Sequence, residues 1–293
     1  MDISVAFHQP LSSEPLTLLR PKQQTVPLIF VSAHSGRNYL PDFLAESRLD
    51  LLSLRRSEDS FVDELFASAP RFGAPLLLAN FPRAFCDVNR EAWELDPAMF
   101  EDALPPFVNA ASARVLAGLG VIPRIVASGE PIYARKLRFD EALFRIREFW
   151  QPFHASLAEL IQETTAIFGA CLVVDCHSMP TIGETARHRV EFVLGDAHGT
   201  SCASGIAHLL ESKLAALGYT VRRNNPYAGG YITRHYGRPE TDVHAIQIEI
   251  ARALYMNEIT IEKLPSFEEL KAHLDLFIAN LTREIPPLLE RGL

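Results

Sequence analysis

The chain has 293 residues, 48% of them hydrophobic and 22% charged, with a formal net charge of −8. That length and apolar share support one large core or two small ones, and no apolar run approaches the ~18 residues of a membrane span. The acidic balance argues against a nucleic-acid or anionic-membrane surface, which needs clustered Lys and Arg, but leaves room for a local basic pocket that holds a small anion.

Residues 1–25 are polar and Pro-containing and read as an irregular lead-in. "VPLIFVSAHSG" (26–36) is a short apolar strand that ends at His34 and a Gly-containing turn. Apolar residues at helical spacing over 41–69 predict two helices with a break near Arg55–Ser57. "APLLLANF" (74–81) predicts a second buried strand, followed by the turn "PRAFCDVNRE", and the acidic, Pro-rich stretch 91–105 reads as a surface loop. "PFVNAASARVLAGLG" (106–120) is a helix or a loop over the site. A long helix is expected from about Phe139 through Ile167, kinked or broken at Pro152.

"ACLVVDCHSM" (170–179) and "VEFVLGDAHG" (190–199) are the third and fourth strands. An amphipathic helix over 201–217 closes at Gly218, a strand and Gly-rich turn follow in "YTVRRNNPYAGGY", "HAIQIEIARALYM" is another strand and turn, and 266–291 is a final helix. Strands alternating with helices, with nearly continuous apolar runs, predict an α/β sheet covered on both faces. One domain over 1–293 is expected, with ligands at the carboxyl ends of the strands.

Those strand ends carry the chemistry. His34 follows "LIFVSA"; Arg83, Asp87, Asn89 and Arg90 follow "PLLLANF"; Asp175 and His177 end "CLVV"; Asp196 and His198 follow "EFVLG"; Glu249 lies within "AIQIEI". A single His at a strand end is ordinarily structural. Several ends loaded with His, Asp, Glu, Arg and Asn point to an active site, because the sheet gathers them into one crevice. His and carboxylate ligands suit Zn²⁺, whose catalytic sites leave one position for water, and zinc both polarises a carbonyl and lowers the pKa of that water. A nearby Glu can move the proton, an Arg can stabilise a developing oxyanion, and an Asn-Arg pair can grip a carboxylate.

At these residues the sequence resembles the N-formylglutamate amidohydrolase family. The matching segments, in order, are "SAHSGRNYLPDF", "DSFVDELF", "FPRAFCDVNR", "GEPIYARKL", "QPFHASL", "DCHSMP", "NNPYAGGYITRHYGRPE" and "HAIQIEIARALYMNE". The resemblance implies the three-layer zinc-exopeptidase (phosphorylase/hydrolase-like) sandwich of the carboxypeptidase and aspartoacylase group, on a mostly parallel, mixed sheet. It implies His34 and His177 as zinc ligands. The aspartoacylase pattern has a Glu three residues after the first His, where this chain has Arg37. The third ligand is therefore read as Asp59, with Glu58 as the alternative. The same resemblance gives Arg83 the oxyanion, Asn89 and Arg90 a substrate carboxylate, Glu249 the general-base role, and Asp175 the orientation of a ligand His.

The implied reaction is cytoplasmic hydrolysis of N-formyl-L-glutamate to formate and glutamate, the last step of a histidine-degradation route. Alternatives are a related deacylase for acetyl or succinyl groups, or a metal-free carboxylate-binding protein on the same fold. Arg234 and His235, beside the glycines of "PYAGGYITRHYG", could reach a bound anion. Asp63 reads as a surface or capping group, His154 as a structural histidine, and His188 and His198 as groups in or beside turns. "IARALYM" reads as core packing. Cys86, Cys171, Cys176 and Cys202 form no CxxC pair, and residues 1–20 lack the pattern of a secretory signal. Reduced, buried thiols are expected, with Cys86 and Cys176 as bystanders to the site.

Overall fold

The computed structural model describes residues 14–181 and 190–289. The expected lead-in is not wholly irregular, because Leu16–Leu19 forms strand β1, antiparallel to Leu76–Ala79. Its four residues are only partly buried, so their apolar signal is weak in sequence and their order comes from pairing at a sheet edge. After β1 come β2 (Leu28–Ser32), then α1 (Pro41–Glu46), α2 (Leu51–Arg55) and α3 (Val62–Leu65), three short helices where two were expected. β3 (Leu76–Ala79), α4 (Ala113–Leu116), α5 (Phe139–Arg145) and α6 (Gln151–Phe168) follow. A π-helical turn over Ile146–Trp150 joins α5 to α6 just before Pro152. The backbone stays right-handed helical through this turn, so the chain does not break at Pro152; the π-helical turn lies just before the residue that lacks an N–H.

The rest comprises β4 (Cys171–Met179), β5 (Phe192–Gly195), α7 (Ser204–Ala216), β6 (Val221–Arg223), α8 (Tyr231–Tyr236), β7 (Val243–Ala251), the small pair β8 (Met256–Asn257) and β9 (Glu262–Lys263), α9 (Phe267–Glu284) and α10 (Pro286–Leu289). Seven strands form one sheet in the order β1-β3-β2-β4-β7-β5-β6. The run β3-β2-β4-β7 is parallel, β1 is antiparallel to β3, and β5 is antiparallel to β7 but parallel to β6.

Helices cover both faces, giving the three-layer α/β architecture. One face carries Leu28, Phe30, Leu172, Val174, Ile246 and Ile248 against α3, α7 and α9. The other carries Ile29, Val31, Cys171, Val173 and Ala245 against α5 and α6. Each fully buried side chain of this size adds ~1.5–3 kcal/mol of transfer free energy, so double coverage makes the central strands the firmest part of the molecule. The stretch 91–105 is irregular as expected but is not a surface loop throughout, since Ala92, Leu95, Met99 and Phe100 are buried in the second layer. No helix among the described residues is long and apolar enough to cross a membrane.

Candidate active site

Alternation along a strand decides which polar groups meet. On β4, Cys171, Val173, Asp175 and His177 share one face, and Cys176 points to the other, where it joins the apolar core. In the parallel register Asp175 lies opposite Gln247 and His177 opposite Glu249. The next strand therefore adds a carboxamide and a carboxylate to the same face. His34 arrives from the end of β2, the 56–61 turn brings Asp59, and the segment after β3 brings Arg83, Asp87, Asn89 and Arg90.

His34, Asp59 and His177 converge, with one candidate ligand atom from each lying within 4.8 Å of the others. Asp59 Oδ2 is 2.9 Å from His177 Nδ1 and 3.4 Å from His34 Nδ1. Both imidazoles face inward through Nδ1 because their outer nitrogens are engaged. His34 Nε2 bonds Asp87 Oδ1 at 2.7 Å, and His177 Nε2 lies 3.1 Å from the Asn89 amide nitrogen and 2.8 Å from Asp175 Oδ1. A carboxylate behind an imidazole fixes its tautomer and leaves the opposite lone pair for a cation. His34 Nδ1 is buried and has no hydrogen-bond partner among the described residues. Such an orphan, aimed at an acidic oxygen beside a second imidazole, is what a metal site requires; two nitrogens and one oxygen suit zinc. The cluster can hold a divalent metal ion.

Electrostatics support that fit. Burial alone would raise the Asp59 carboxyl, but the neighbouring His177 and His34 imidazoles hold it well below the usual range. Burial would also raise Asp87, and Arg83 and Arg90 outweigh it. Burial would lower His177, but Asp175 and Asp59 raise it well above an ordinary imidazole. The Glu58 carboxylate is spent elsewhere, accepting from the Tyr39 hydroxyl at 2.7 Å, Arg55 Nε at 3.2 Å and the Ser60 hydroxyl at 2.7 Å.

A cavity of about 400 Å³ opens over this cluster. Glu249 lines it, and burial is the chief cause that pushes its carboxyl up to about 7. Gln247 donates to Glu249 Oε1 at 2.7 Å while its own Oε1 accepts from the Gly230 N–H at 2.8 Å, so the amide is locked the right way round. Arg83 also lines the cavity, holding Asp87 Oδ2 at 2.7 Å through one nitrogen.

The residues of this cluster lie within the reach of a known family pattern. The sequence pattern of N-formylglutamate amidohydrolase matches residues 26–256. The chain belongs to the N-formylglutamate amidohydrolase family. It is 31% identical to an N-formylglutamate deformylase of Pseudomonas aeruginosa over 81% of this chain and 85% of the relative. A Pseudomonas putida N-formylglutamate deformylase is 28% identical over 80% and 84% of the two chains. The crystal structure of N-formylglutamate amidohydrolase from Ralstonia eutropha JMP134 superposes with a TM-score of 0.87 at 37% identity, covering 96% of this chain and all (100%) of that one.

Within the family motifs, "DVNR" proves to be divided in its duties. Asn89 accepts from the Ile232 N–H at 2.8 Å and donates to Asp175 at 3.3 Å, and Arg90 donates to the Leu119 and Asn89 carbonyls. Burial pushes the Arg90 guanidinium down to about 10, helped by the charges of Arg83 and Arg114. A Cβ on Gly230 would sit 2.3 Å from the Asn89 amide, so only glycine permits this approach. Arg114 and Arg234 line the cavity, are exposed, and have no carboxylate partner among the described residues. His235 stacks on Tyr231 with ring centroids 4.7 Å apart and is not part of the cavity wall.

Among the described residues His154 and His198 lie apart from the cluster. His154 bonds the Tyr236 hydroxyl and the Val88 carbonyl, and burial lowers it to about 3. His198 is exposed in a left-handed turn, Asp196 caps that turn through the Gly199 N–H, and His188 is outside the described residues. Sequence reasoning gave no role to Asp87, Gln247, Arg114 or Arg252. Strand parity could have flagged Gln247, two residues before Glu249. Arg252, read with core packing, is buried but binds Asp59.

Proposed function

We propose that this protein hydrolyses N-formyl-L-glutamate to formate and L-glutamate, with zinc held by His34, Asp59 and His177. The observation that carries the reading is the convergence of those three side chains beside a buried Glu249, beneath a cavity whose arginines include two without carboxylate partners. Zinc there would supply Lewis acidity toward the formyl oxygen and toward water.

The chain's own groups then divide the work. Glu249, with Oε1 held by Gln247, takes the proton of the attacking water and returns it to nitrogen as the C–N bond breaks. Its elevated pKa of about 7 suits both transfers near neutrality. Arg83 faces the charge that develops on the formyl oxygen. Arg90, Arg114 and Arg234 supply positive charge for the two carboxylates of the substrate, while Asn89 orients the wall they stand on. The four cysteines are free and buried, which suits a reducing compartment, the cytoplasm.

The test is a panel of N-formyl, N-acetyl and N-succinyl glutamate assayed with protein purified without chelator, alongside elemental analysis. Formate release should be fastest, with about one zinc bound per chain. Faster acetyl or succinyl release would replace the formyl reading, and zinc-free protein that binds glutamate without turnover would replace the enzyme reading.

A further inference from the structure

We infer that Arg252 and Ser178 set Asp59 as a one-oxygen metal ligand, by occupying its second oxygen. The inference rests on the metal reading of the His34–Asp59–His177 cluster. Arg252 follows directly on β7 and is buried. Its guanidinium donates to four acceptors: the Glu58 carbonyl at 2.7 Å, Asp59 Oδ1 at 3.1 Å, the Arg56 carbonyl at 3.1 Å and the Ser178 hydroxyl at 3.2 Å. Ser178, next to His177, donates in turn to Asp59 Oδ1 at 3.2 Å. Oδ1 is thus filled by a cation and a hydroxyl, and Oδ2 alone faces the two imidazoles.

The turn that carries Asp59 has reason to be held. Phe61, two residues on, has φ 68°, a left-handed conformation that a bulky side chain rarely takes. Such backbone persists where surrounding contacts over-determine it. Arg252 ties two carbonyls of this turn as well as the carboxylate, and the Asp59 N–H bonds the His34 carbonyl at 3.0 Å. Two effects of Arg252 oppose each other. Its charge repels a cation at the site, whereas its fork fixes the ligand oxygen and blocks rotation to a two-oxygen grip. The fork should prevail, because Asp87, Asp175 and Glu249 already surround the site with negative charge and geometry is what remains to be set.

The experiment compares zinc affinity, by chelator competition, and the visible spectrum of the cobalt-loaded protein in wild type, Arg252→Met, Ser178→Ala and Arg55→Met. Arg55 buttresses the same turn through Glu58 and does not touch Asp59. Arg252→Met should weaken zinc binding ~10–100-fold, as loss of an outer partner does, and lower the intensity of the cobalt bands as Asp59 swings to two-oxygen coordination. Ser178→Ala should move both readouts the same way by less, and Arg55→Met should leave both near wild type. Unchanged or tighter zinc binding with unchanged cobalt bands in Arg252→Met and Ser178→Ala overturns the inference. So does an equal effect of Arg55→Met, which would make Arg252 a brace for the turn alone. A wild-type protein that takes up no zinc overturns instead the metal reading beneath it.

Discussion

The floor and the mouth of the cavity are built in opposite ways. On the floor the side chains are held by one another, His34 by Asp87, His177 by Asp175, Asp59 by Arg252 and Ser178, Glu249 by Gln247, with His34 Nδ1 left open toward Asp59. These groups stand on or beside central strands covered on both faces. At the mouth, Arg114 and Arg234 sit on short helices, exposed and without carboxylate partners among the described residues. The floor is organised before anything binds, as chemistry in a low-dielectric site demands. The mouth keeps charge in reserve for a ligand, although the start of α8 also braces the floor through Gly230 on Gln247 and Ile232 on Asn89.

If that division is right, substitutions at the two levels should fail differently. The largest effect is expected from Glu249→Gln, which keeps shape and the bond to Gln247 but cannot carry a proton. Turnover should fall ~10²–10⁴-fold with zinc content unchanged. Normal turnover in that variant would remove Glu249 as the base. Next come Asp87→Asn and Asp175→Asn, each taking a carboxylate from behind one imidazole. Zinc affinity should drop ~10–100-fold in each, read by chelator competition. Affinity equal to wild type in both would mean that the imidazoles are oriented by packing alone.

The mouth should respond through binding. On the proposed function Arg114→Ala removes a charge that serves substrate binding, so KM should rise about tenfold with kcat nearly constant. An exposed cation gives the low end of the ~1.5–3 kcal/mol range for charge-assisted hydrogen bonds, and tenfold corresponds to about 1.4 kcal/mol. A fall in kcat at unchanged KM would place Arg114 in the transition state and break the division between floor and mouth.

How much of this was legible in sequence follows from the same division. The strand ends are: an apolar run that stops on Asp175 and His177 announces both the strand and its cargo, and the two-residue period places them on one face. The direction of β5 is not, since a strand buried on both faces reads alike whether it runs parallel or antiparallel. Helix α8 hid inside a Gly-rich turn, because its six residues are too few for a helical period to show. Arg252 was opaque for a different reason. Its bond to Asp59 spans 193 positions, and nothing local separates a buried Arg that stabilises a turn from one that shapes a ligand. Asp59 itself was reached through family likeness, and its spacing from His34 alone would not have chosen it over Glu58.

The smallest expected effect settles what the absent glutamate after His34 means. Arg37 stands in its place and, far from entering the site, pairs at the surface with Asp63 at 3.0 Å and Glu64 at 3.4 Å, its side chain 41% exposed. Exposed pairs of this kind contribute ~0.2–1 kcal/mol. Arg37→Ala should therefore lower the unfolding free energy by less than about 1 kcal/mol and leave zinc affinity within about twofold of wild type. Asp59 reaches the imidazoles from the turn between α2 and α3, so as a third ligand its oxygen would come from tertiary folding and not from the residues that follow His34. A marked loss of zinc in Arg37→Ala would show instead that the segment after His34 still shapes the ligand set. The pairing of Arg37 with Asp63, four residues past Asp59, is one link between that segment and the turn, beside the Asp63 N–H on Ser35 and the Tyr39 hydroxyl on Glu58. Because Arg252, Ser178 and the His34 carbonyl hold the same turn from the buried side, the surface pair is the weaker constraint and its loss should pass almost unnoticed.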